Sequence, residues 1–171
     1  MKIKSLIAAG LTLAMLAGCS GGAPADQGGE PADQGGETAA EAKTYNVGVA
    51  IYEFNDNFMT LYRNEIAAYF KTLETDEVKY NVEFSDGKSD MAEQTNQVDN
   101  FITKGMDVII LNLVQTSSAD VLIDKIVGAG IPLVLINREP LGDNGDESYK
   151  GILDNPTVCY VGADARQSGT Y

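Results

Sequence analysis

The sequence lacks histidine and tryptophan and has only two cysteines among its 171 residues. Without histidine, the chain has neither the usual general base at neutral pH nor the commonest transition-metal ligand. Positive charge is also scarce, with 12 lysine and arginine residues against 25 acidic residues and a net charge of −13. A chain this acidic repels the phosphates of nucleic acids. These absences argue against an enzyme that depends on histidine and against a nucleic-acid-binding protein.

One apolar segment, SLIAAGLTLAMLAG at residues 5–18, follows the basic start MKIK. It is shorter than the roughly 20 residues that span a bilayer, so it predicts a signal peptide over residues 1–18. The segment ends in LAGC and so resembles the lipobox of bacterial lipoproteins. That resemblance implies cleavage before Cys19, a diacylglycerol on its sulfur, and an anchor in the extracytoplasmic face of the cell membrane. An ordinary signal peptide with an incidental cysteine is the alternative.

Residues 19–44 contain the lipidation site and then a segment rich in glycine, proline, alanine and acidic residues. The heptapeptide PADQGGE occurs twice in tandem, at residues 24–30 and 31–37. Such a composition offers little to bury, so we expect a disordered linker between the lipid anchor and the folded domain. The other cysteine, Cys159, lies in the apolar segment TVCYVG, and we expect a buried, unpaired strand thiol there.

Residues 45–171 alternate between strand and helix patterns over a length that suits one domain. We predict strands over residues 45–52, 78–84 and 106–114 and in PLVLIN and TVCYVG. The first helix is predicted from Phe58 to Leu73, and the second follows an Asp90 N-cap and ends at Gly105. A third helix ends near residues 128–130. On the first helix, the residues predicted to share one face are Tyr62, Ile66, Tyr69 and Leu73.

This alternation, with strongly apolar strands, predicts an α/β fold with a doubly wound parallel sheet. The expected strand order is 2-1-3-4-5, in which ligands bind at the carboxyl ends of the strands beside the first and third strands. Neither GxGxxG nor GxxxxGK[ST] follows a strand, so a phosphate loop is not predicted. The segment at residues 137–156 has no helical period, and we expect it to be a solvated connection.

The loops at that point contain Asp56 and Phe58 after the first strand and Asn112 after the third. A carboxylate, an amide and an aromatic ring, with no cation nearby, suit a neutral polyhydroxylated ligand. The carboxylate and amide can bond hydroxyls, and the ring can cover the C–H face of a sugar. A metal would require further acidic, histidine or cysteine ligands. Structural roles remain open, with Phe58 as a hydrophobic staple and Asn112 as a turn residue.

The segments VGVAIYEFNDNFMTLYR, ILNLV, LINREP and YVGAD resemble the galactose/glucose-binding proteins of bacterial sugar ABC transporters, which belong to the ribose-type periplasmic binding proteins. The resemblance covers the folded part from about Val47 onward. It implies that Asp56 bonds the sugar, that Phe58 stacks on it, and that Asn112 binds hydroxyls. Tyr52 is expected close to the site without direct contact. The implied partners are galactose or glucose, an ABC permease and, as a further candidate, a chemoreceptor.

Such receptors have two lobes that close on the sugar, and residues 45–171 correspond to the N-terminal lobe, stopping within its last helix. No cofactor is expected, since the calcium loop of many family members lies in the other lobe. Without the last helix, one apolar face of the sheet should be partly uncovered. With half of the clamp missing, we expect weak or undetectable sugar binding by this lobe alone.

Other functions stay open beside a non-enzymatic sugar receptor. A doubly wound fold also supports enzymes, but the absence of histidine, a nucleophile motif and a glycine-rich loop argues against one. A lobe acting as a surface interaction module, or a non-functional fragment, is the remaining alternative. Among ligands, pentoses and signalling sugars also remain open.

Overall fold

The computed structural model describes residues 41–141, 154–163 and 169, which lie within one compact unit, Ala39–Tyr171. These residues form a five-stranded sheet in which every pairing is parallel. The strands are β1 (Lys43–Ile51), β2 (Val78–Asp86), β3 (Val108–Leu111), β4 (Leu133–Ile136) and β5 (Val158–Val161). The helices are α1 (Asn57–Leu73), α2 (Met91–Lys104) and α3 (Ala119–Gly128), with a 3-10 turn at Thr116–Ser118 before α3.

The order of strands in the sheet is β2-β1-β3-β4-β5. The predicted α/β class, parallel sheet and strand order are therefore confirmed. Strand β1 pairs with β2 on one side and with β3 on the other, so the direction of winding reverses between β1 and β3. The loops that leave β1, β3 and β4 consequently meet at one edge of the sheet, where ligands of this fold class bind.

The two predicted caps of α2 are present. The side chain of Asp90 accepts hydrogen bonds from the backbone N–H groups of Ala92 and Glu93, which have no partner inside the helix. At the other end, Gly105 has a φ of 67°, the left-handed conformation that glycine adopts without steric cost. Both ends of α2 were predictable because each depends on neighbouring residues alone.

Apolar side chains pack on both faces of the sheet. On one face, α2 and α3 cover β3 and β4 through Phe101, Leu122 and Ile126, which are fully buried. On the other face, α1 packs through Met59 and its neighbours against the other side of β1 and β3. The residues of α1 in this second cluster are Met59, Tyr62, Ile66 and Phe70. Tyr69 and Leu73, predicted on the same face, are exposed because they lie at the margin of this stripe.

The carboxyl end of β3 is fastened to α2 by a buried glutamine. The Nε2 of Gln94 donates to the carbonyl oxygen of Asn112 at 2.8 Å, and its Oε1 accepts from the N–H of Val114 at 2.8 Å. Gln94 is fully buried, so these two bonds satisfy a polar group that would otherwise destabilise the core. The loop after β3 is thereby fixed to the rest of the sheet.

An apolar groove lies beside α1 among the described residues. A groove of about 540 Å³ runs between α1 and the sheet, and Tyr69 and Val161 on its walls are more than half exposed. The sheet residues that line it are Ile110, Val134, Ile136 and Val161. On this side of the sheet α1 covers β1 and β3, and no other helix of the described residues covers β4 and β5.

This geometry also corrects the prediction for Cys159, which is exposed rather than buried. Cys159 pairs with Val134, and in a parallel ladder paired residues point to the same face. That face is the open side of β4 and β5. Strand β5 is also an edge strand of the described sheet, so Cys159 has a neighbouring strand on one side only.

Several sequence-based expectations fall outside the described residues. These are the signal peptide at residues 1–18, the lipidation of Cys19, and all but the last residues of the linker at 19–44. Most of the connection at residues 137–156 is also outside, as are residues 164–168, 170 and 171 of the expected last helix. Within the described residues, none of the helices has the length and apolarity required to cross a bilayer.

We expect the Gln94→Leu variant to be roughly 2 kcal/mol or more less stable than the native chain, because the Asn112 carbonyl and the Val114 N–H would be left unpaired in a buried setting. Urea unfolding followed by circular dichroism measures the difference. The control is Asn96→Leu, the same kind of change at an exposed position of α2. Equal stability of the two variants would contradict a fastening role for Gln94.

Candidate functional site

The loop between β1 and α1 places a carboxylate at the carboxyl edge of the sheet. Asp56 is the N-cap of α1, and its Oδ1 accepts from the N–H of Met59 at 2.8 Å. Its Oδ2 accepts a 2.5 Å hydrogen bond from the hydroxyl of Tyr52. Both oxygens are thus oriented by the protein. Each oxygen keeps further lone-pair capacity, since a carboxylate offers about four acceptor sites in total.

The rest of this loop is held through the backbone of Phe54. The N–H of Phe54 donates to Oδ1 of Asp86 at 3.0 Å, and its carbonyl oxygen accepts from Oγ1 of Thr60 at 3.0 Å. Arg63 adds a 3.3 Å bond from Nη2 to the same carbonyl, and its guanidinium carbon lies 3.6 Å from the centre of the Phe54 ring. These bonds leave the loop little freedom to rearrange around Asp56.

The surroundings of the Asp56 carboxylate favour its charged form. The hydrogen bond from the Tyr52 hydroxyl, followed by the bond from the Met59 N–H, lowers the pKa of Asp56 below its ordinary value. The same contact with Asp56 raises the pKa of Tyr52, so the tyrosine remains a neutral donor. The pair therefore presents an ionised acceptor at neutral pH.

Phe58 lies two residues further, in the first turn of α1, and is 58% exposed. Its ring stacks on that of Tyr62, with centroids 5.8 Å apart and planes 14° from parallel. A staple residue would pack into the protein, so the structure does not give Phe58 that role. The ring instead lines a small pocket of about 230 Å³ that it shares with Asn137 and the end of β5.

Asn112 is fully buried, and the structure does not bring its side chain to the surface where Phe58 lies. Its N–H donates to the carbonyl of Ala50 at 2.8 Å, and its Nδ2 donates to the carbonyl of Ile136 at 3.2 Å. The side chain thus joins the ends of β3 and β4. Its Oδ1 is buried and has no hydrogen-bond partner among the described residues. The role of Asn112 in ligand binding stays a prediction.

The end of β4 adds two residues that the sequence interpretation did not select. Asn137 is exposed, lines the same pocket as Phe58, and has a φ of 62°, which is uncommon for a residue other than glycine. Its conformation is held by backbone bonding, since its N–H donates to the carbonyl of Val161 at 3.0 Å. The sequence contained a pattern that could have identified Asn137: it directly follows the apolar strand LVLI, as Asn112 follows VIIL.

Arg138 corrects the expectation that the site has no cation nearby. Its guanidinium carbon lies 4.4 Å from the centre of the Tyr52 ring. Its Nη1 donates to the carbonyl oxygens of Leu113 at 2.9 Å and Val114 at 2.7 Å. The sequence could not indicate this because the contacts join the ends of three strands that are far apart in the chain.

Together these groups form a surface that suits a small ligand with several hydroxyl groups. Asp56 supplies an ionised acceptor, Asn137 an exposed amide, and Phe58 an exposed ring face. Among the residues that the structure describes, no three acidic or cysteine side chains cluster as metal ligands would. The groups that are present can form hydrogen bonds and stacking contacts.

Comparison with known proteins places this chain in a family. Residues 47–171 match the sequence profile described as a periplasmic binding protein domain. A Rhizobium meliloti protein named for rhizopine binding is 43% identical, over 71% of this chain and 40% of the relative. The D-galactose/methyl-galactoside binding periplasmic protein of Haemophilus influenzae is 33% identical, over 77% of this chain and 36% of the relative. The chain thus spans about two fifths of the length of these curated relatives.

Solved structures agree on the fold. A solute binding protein of an ABC transporter from Burkholderia multivorans has a TM-score of 0.58 at 21% identity, over 74% of this chain and 42% of that one. The myo-inositol binding protein of Caulobacter has a TM-score of 0.56 at 20% identity, over 72% and 36% of the two chains. Because the family profile covers most of the sequence and the sheet has the fold of these structures, the chain belongs to the periplasmic binding protein family.

Proposed function

We propose that this chain provides one lobe of a receptor that binds a monosaccharide outside the cytoplasmic membrane and delivers it to an ABC permease. The observation that carries the proposal is the exposed ring of Phe58 beside the oriented carboxylate of Asp56. The ring lines a pocket together with the exposed Asn137, and an aromatic face of this kind can cover the C–H groups of a sugar. The names of the two curated relatives support a ligand of this class.

The binding mode follows from the geometry. A sugar lying against Phe58 would place its C–H groups on the ring and direct its hydroxyls toward Asp56. Because Asp56 is ionised and already oriented, its hydrogen bonds to hydroxyls are charge-assisted and require little ordering of the loop. Asn137 and Asn112 are the candidate amide groups, the first exposed in the pocket and the second buried behind it.

Galactose or glucose is the proposed ligand, in line with the resemblance of the VGVAIYEFNDNFMTLYR segment and with the galactoside-binding relative. The relative with the higher identity of the two is named for rhizopine, so the choice among hydroxylated rings requires direct measurement. We propose no cofactor for this lobe. The ABC permease is the proposed partner, and a chemoreceptor is a second candidate.

For location, we propose that the receptor is a lipoprotein anchored through Cys19, with residues 19–44 as the tether. The support is the LAGC sequence directly before an acidic and glycine-rich segment. One curated relative is named as a periplasmic protein, which agrees with export.

We expect D-galactose or D-glucose to shift the backbone amide NMR signals around Phe58 and Asn137 in the 171-residue chain. The Phe58→Ala variant should weaken this binding about tenfold, since tenfold is about 1.4 kcal/mol and stacking on one aromatic ring contributes about that much. Titration by ¹H–¹⁵N spectroscopy suits weak affinities and locates the contact.

The control is Leu61→Ala, which removes another apolar side chain of α1 with nearly the same exposure, 59% against 58%. Leu61 does not line the pocket that Phe58 shares with Asn137. Equal affinity of the Phe58→Ala and Leu61→Ala variants would contradict the proposed stacking role. The same titration with myo-inositol tests whether another hydroxylated ring binds more tightly.

Expression in a bacterial host with labelled palmitate should give a labelled protein. The label should be lost in Cys19→Ser because the sulfur that carries the diacylglycerol is gone. Cys159→Ser is the matched control, since it removes the other cysteine of the chain. Label retained in Cys19→Ser would refute the anchor.

A further inference from the structure

Three side chains from two loops, the one after β1 and the one after β4, form a continuous series of contacts at the binding surface. The guanidinium of Arg138 lies over the ring of Tyr52, 4.4 Å from its centre. The hydroxyl of Tyr52 donates to Oδ2 of Asp56 at 2.5 Å. Sequence resemblance placed Tyr52 near the site without a role, and the proposed function above does not require it.

We propose that Tyr52 is a positioning residue for the receptor: its hydroxyl holds the carboxylate of Asp56 in the orientation that binds ligand hydroxyls, and Arg138 holds the Tyr52 ring in place. The effect of Tyr52 on ligand binding rests on the proposed function. The effect of Tyr52 on the orientation of the Asp56 carboxylate rests on the structure alone.

Helix capping does not account for this contact. A single oxygen of Asp56, Oδ1, caps α1 by accepting from Met59. Capping requires only Oδ1 and would leave Oδ2 bonded to water without a fixed orientation. Asparagine or serine would cap the helix equally well. The bond from Tyr52 fixes Oδ2 as well, and a bond at 2.5 Å is in the range of charge-assisted O–H···O pairs.

Arg138 is well placed to hold the ring because it is itself held. Its Nη1 donates to two carbonyl oxygens, those of Leu113 and Val114, which stand at the end of the sheet. The carbonyl of Leu113 and that of Val114 are in turn fixed close to Gln94, which bonds the backbone of Asn112 and Val114. The cation is therefore tied to the ordered edge of β3 rather than to solvent.

The charged groups around the pair act in opposite directions on Tyr52: Asp56 and Glu53 raise its pKa and Arg138 lowers it, with the hydrogen bond to Asp56 as the largest cause. Arg138 lies against Tyr52 from the end of β4, and Glu53 follows Tyr52 on the loop, where its Oε2 accepts from Oγ of Ser89. Arg63 on α1 bonds Phe54 and Thr60 beside the loop. The Tyr52 hydroxyl is the largest cause of the lowered pKa of Asp56, ahead of the Met59 N–H.

Ligand binding should depend on pH through the charge of Asp56. Asp56 accepts hydrogen bonds as a carboxylate, so ligand binding should weaken as the pH falls through its pKa. Removing the Tyr52 hydroxyl removes the main cause that lowers this pKa, so the pKa of Asp56 should rise in Tyr52→Phe. Binding in that variant should then be lost at a higher pH than in the native chain.

The first measurement is a ¹³C NMR titration of the side-chain carboxyl groups in the 171-residue chain, for the native protein and for Tyr52→Phe. The signal of Asp56 is identified by its absence in Asp56→Asn. We expect the Asp56 pKa to be higher in Tyr52→Phe and unchanged in Tyr69→Phe, which removes the hydroxyl of an exposed tyrosine on α1. An Asp56 pKa that is the same in Tyr52→Phe and the native chain would overturn the proposal.

The second measurement is the affinity for D-galactose and D-glucose from pH 8 down to the lowest pH at which the amide spectrum shows a folded chain, a range that has to extend below the ordinary aspartate pKa of 3.8. At pH 7 we expect Tyr52→Phe to bind about 3- to 10-fold more weakly, as for the loss of one hydrogen bond that orients a charged group. The acid limit of binding should move upward together with the Asp56 pKa. A raised pKa with unchanged affinity and unchanged acid limit would overturn the role of Tyr52 in binding.

The two parts of the proposal fail separately. If the native chain binds none of the tested rings while the Asp56 pKa rises in Tyr52→Phe, the proposed function is refuted and the positioning of the carboxylate is supported. Because phenylalanine keeps the ring beneath Arg138, Tyr52→Phe should fold. The dispersion of its amide spectrum checks this, and Tyr52→Trp serves as a second variant without the hydroxyl.

Discussion

The site depends on the double pairing of β1. This strand bonds β2 along its whole length and β3 along its carboxyl half, so its end is fixed from both sides. The fixation continues past the strand, since Gly87 donates to the carbonyl of Ile51 at 2.7 Å and Ser89 to that of Tyr52 at 2.8 Å. The contact is so close that a Cβ on Gly87 would lie 2.9 Å from the Ile51 carbonyl oxygen. Glycine is therefore required where β2 ends.

A rigid strand end allows one carboxylate to serve two purposes. Asp56 begins α1, where the positive end of the helix dipole favours negative charge, and it also accepts from Tyr52. The two interactions reinforce each other because both favour the ionised form. A binding surface with its charge fixed in advance loses less entropy when a ligand arrives. Under the proposed function, the requirements of folding and of recognition would thus be met by the same side chain.

Local features of the fold were predictable from the sequence, and contacts between distant segments were not. The Asp90 cap and the glycine stop at Gly105 follow from neighbouring residues, and the strand order was expected only as the commonest arrangement of five parallel strands. Phe58 was selected because an aromatic beside an acidic and amide-rich turn is unusual. Arg138 could not, since its partners are carbonyl groups of another strand. The prediction that Cys159 is buried was wrong for a similar reason. Whether a residue of an edge strand is buried depends on the helix that covers the strand, and the apolar neighbours of Cys159 in the sequence do not reveal that helix.

The exposure of the candidate site agrees with the expectation of weak binding by one lobe. Phe58 is more than half exposed and Asn137 is exposed, so water reaches the groups that would bond a sugar. Hydrogen bonds gain strength when water is excluded, because the effective dielectric around them falls. An oriented carboxylate and a ring face fix where a ligand lies and how it faces the sheet. Tight binding additionally requires a second surface that covers the ligand, and the open face of the pocket is where such a surface would have to close.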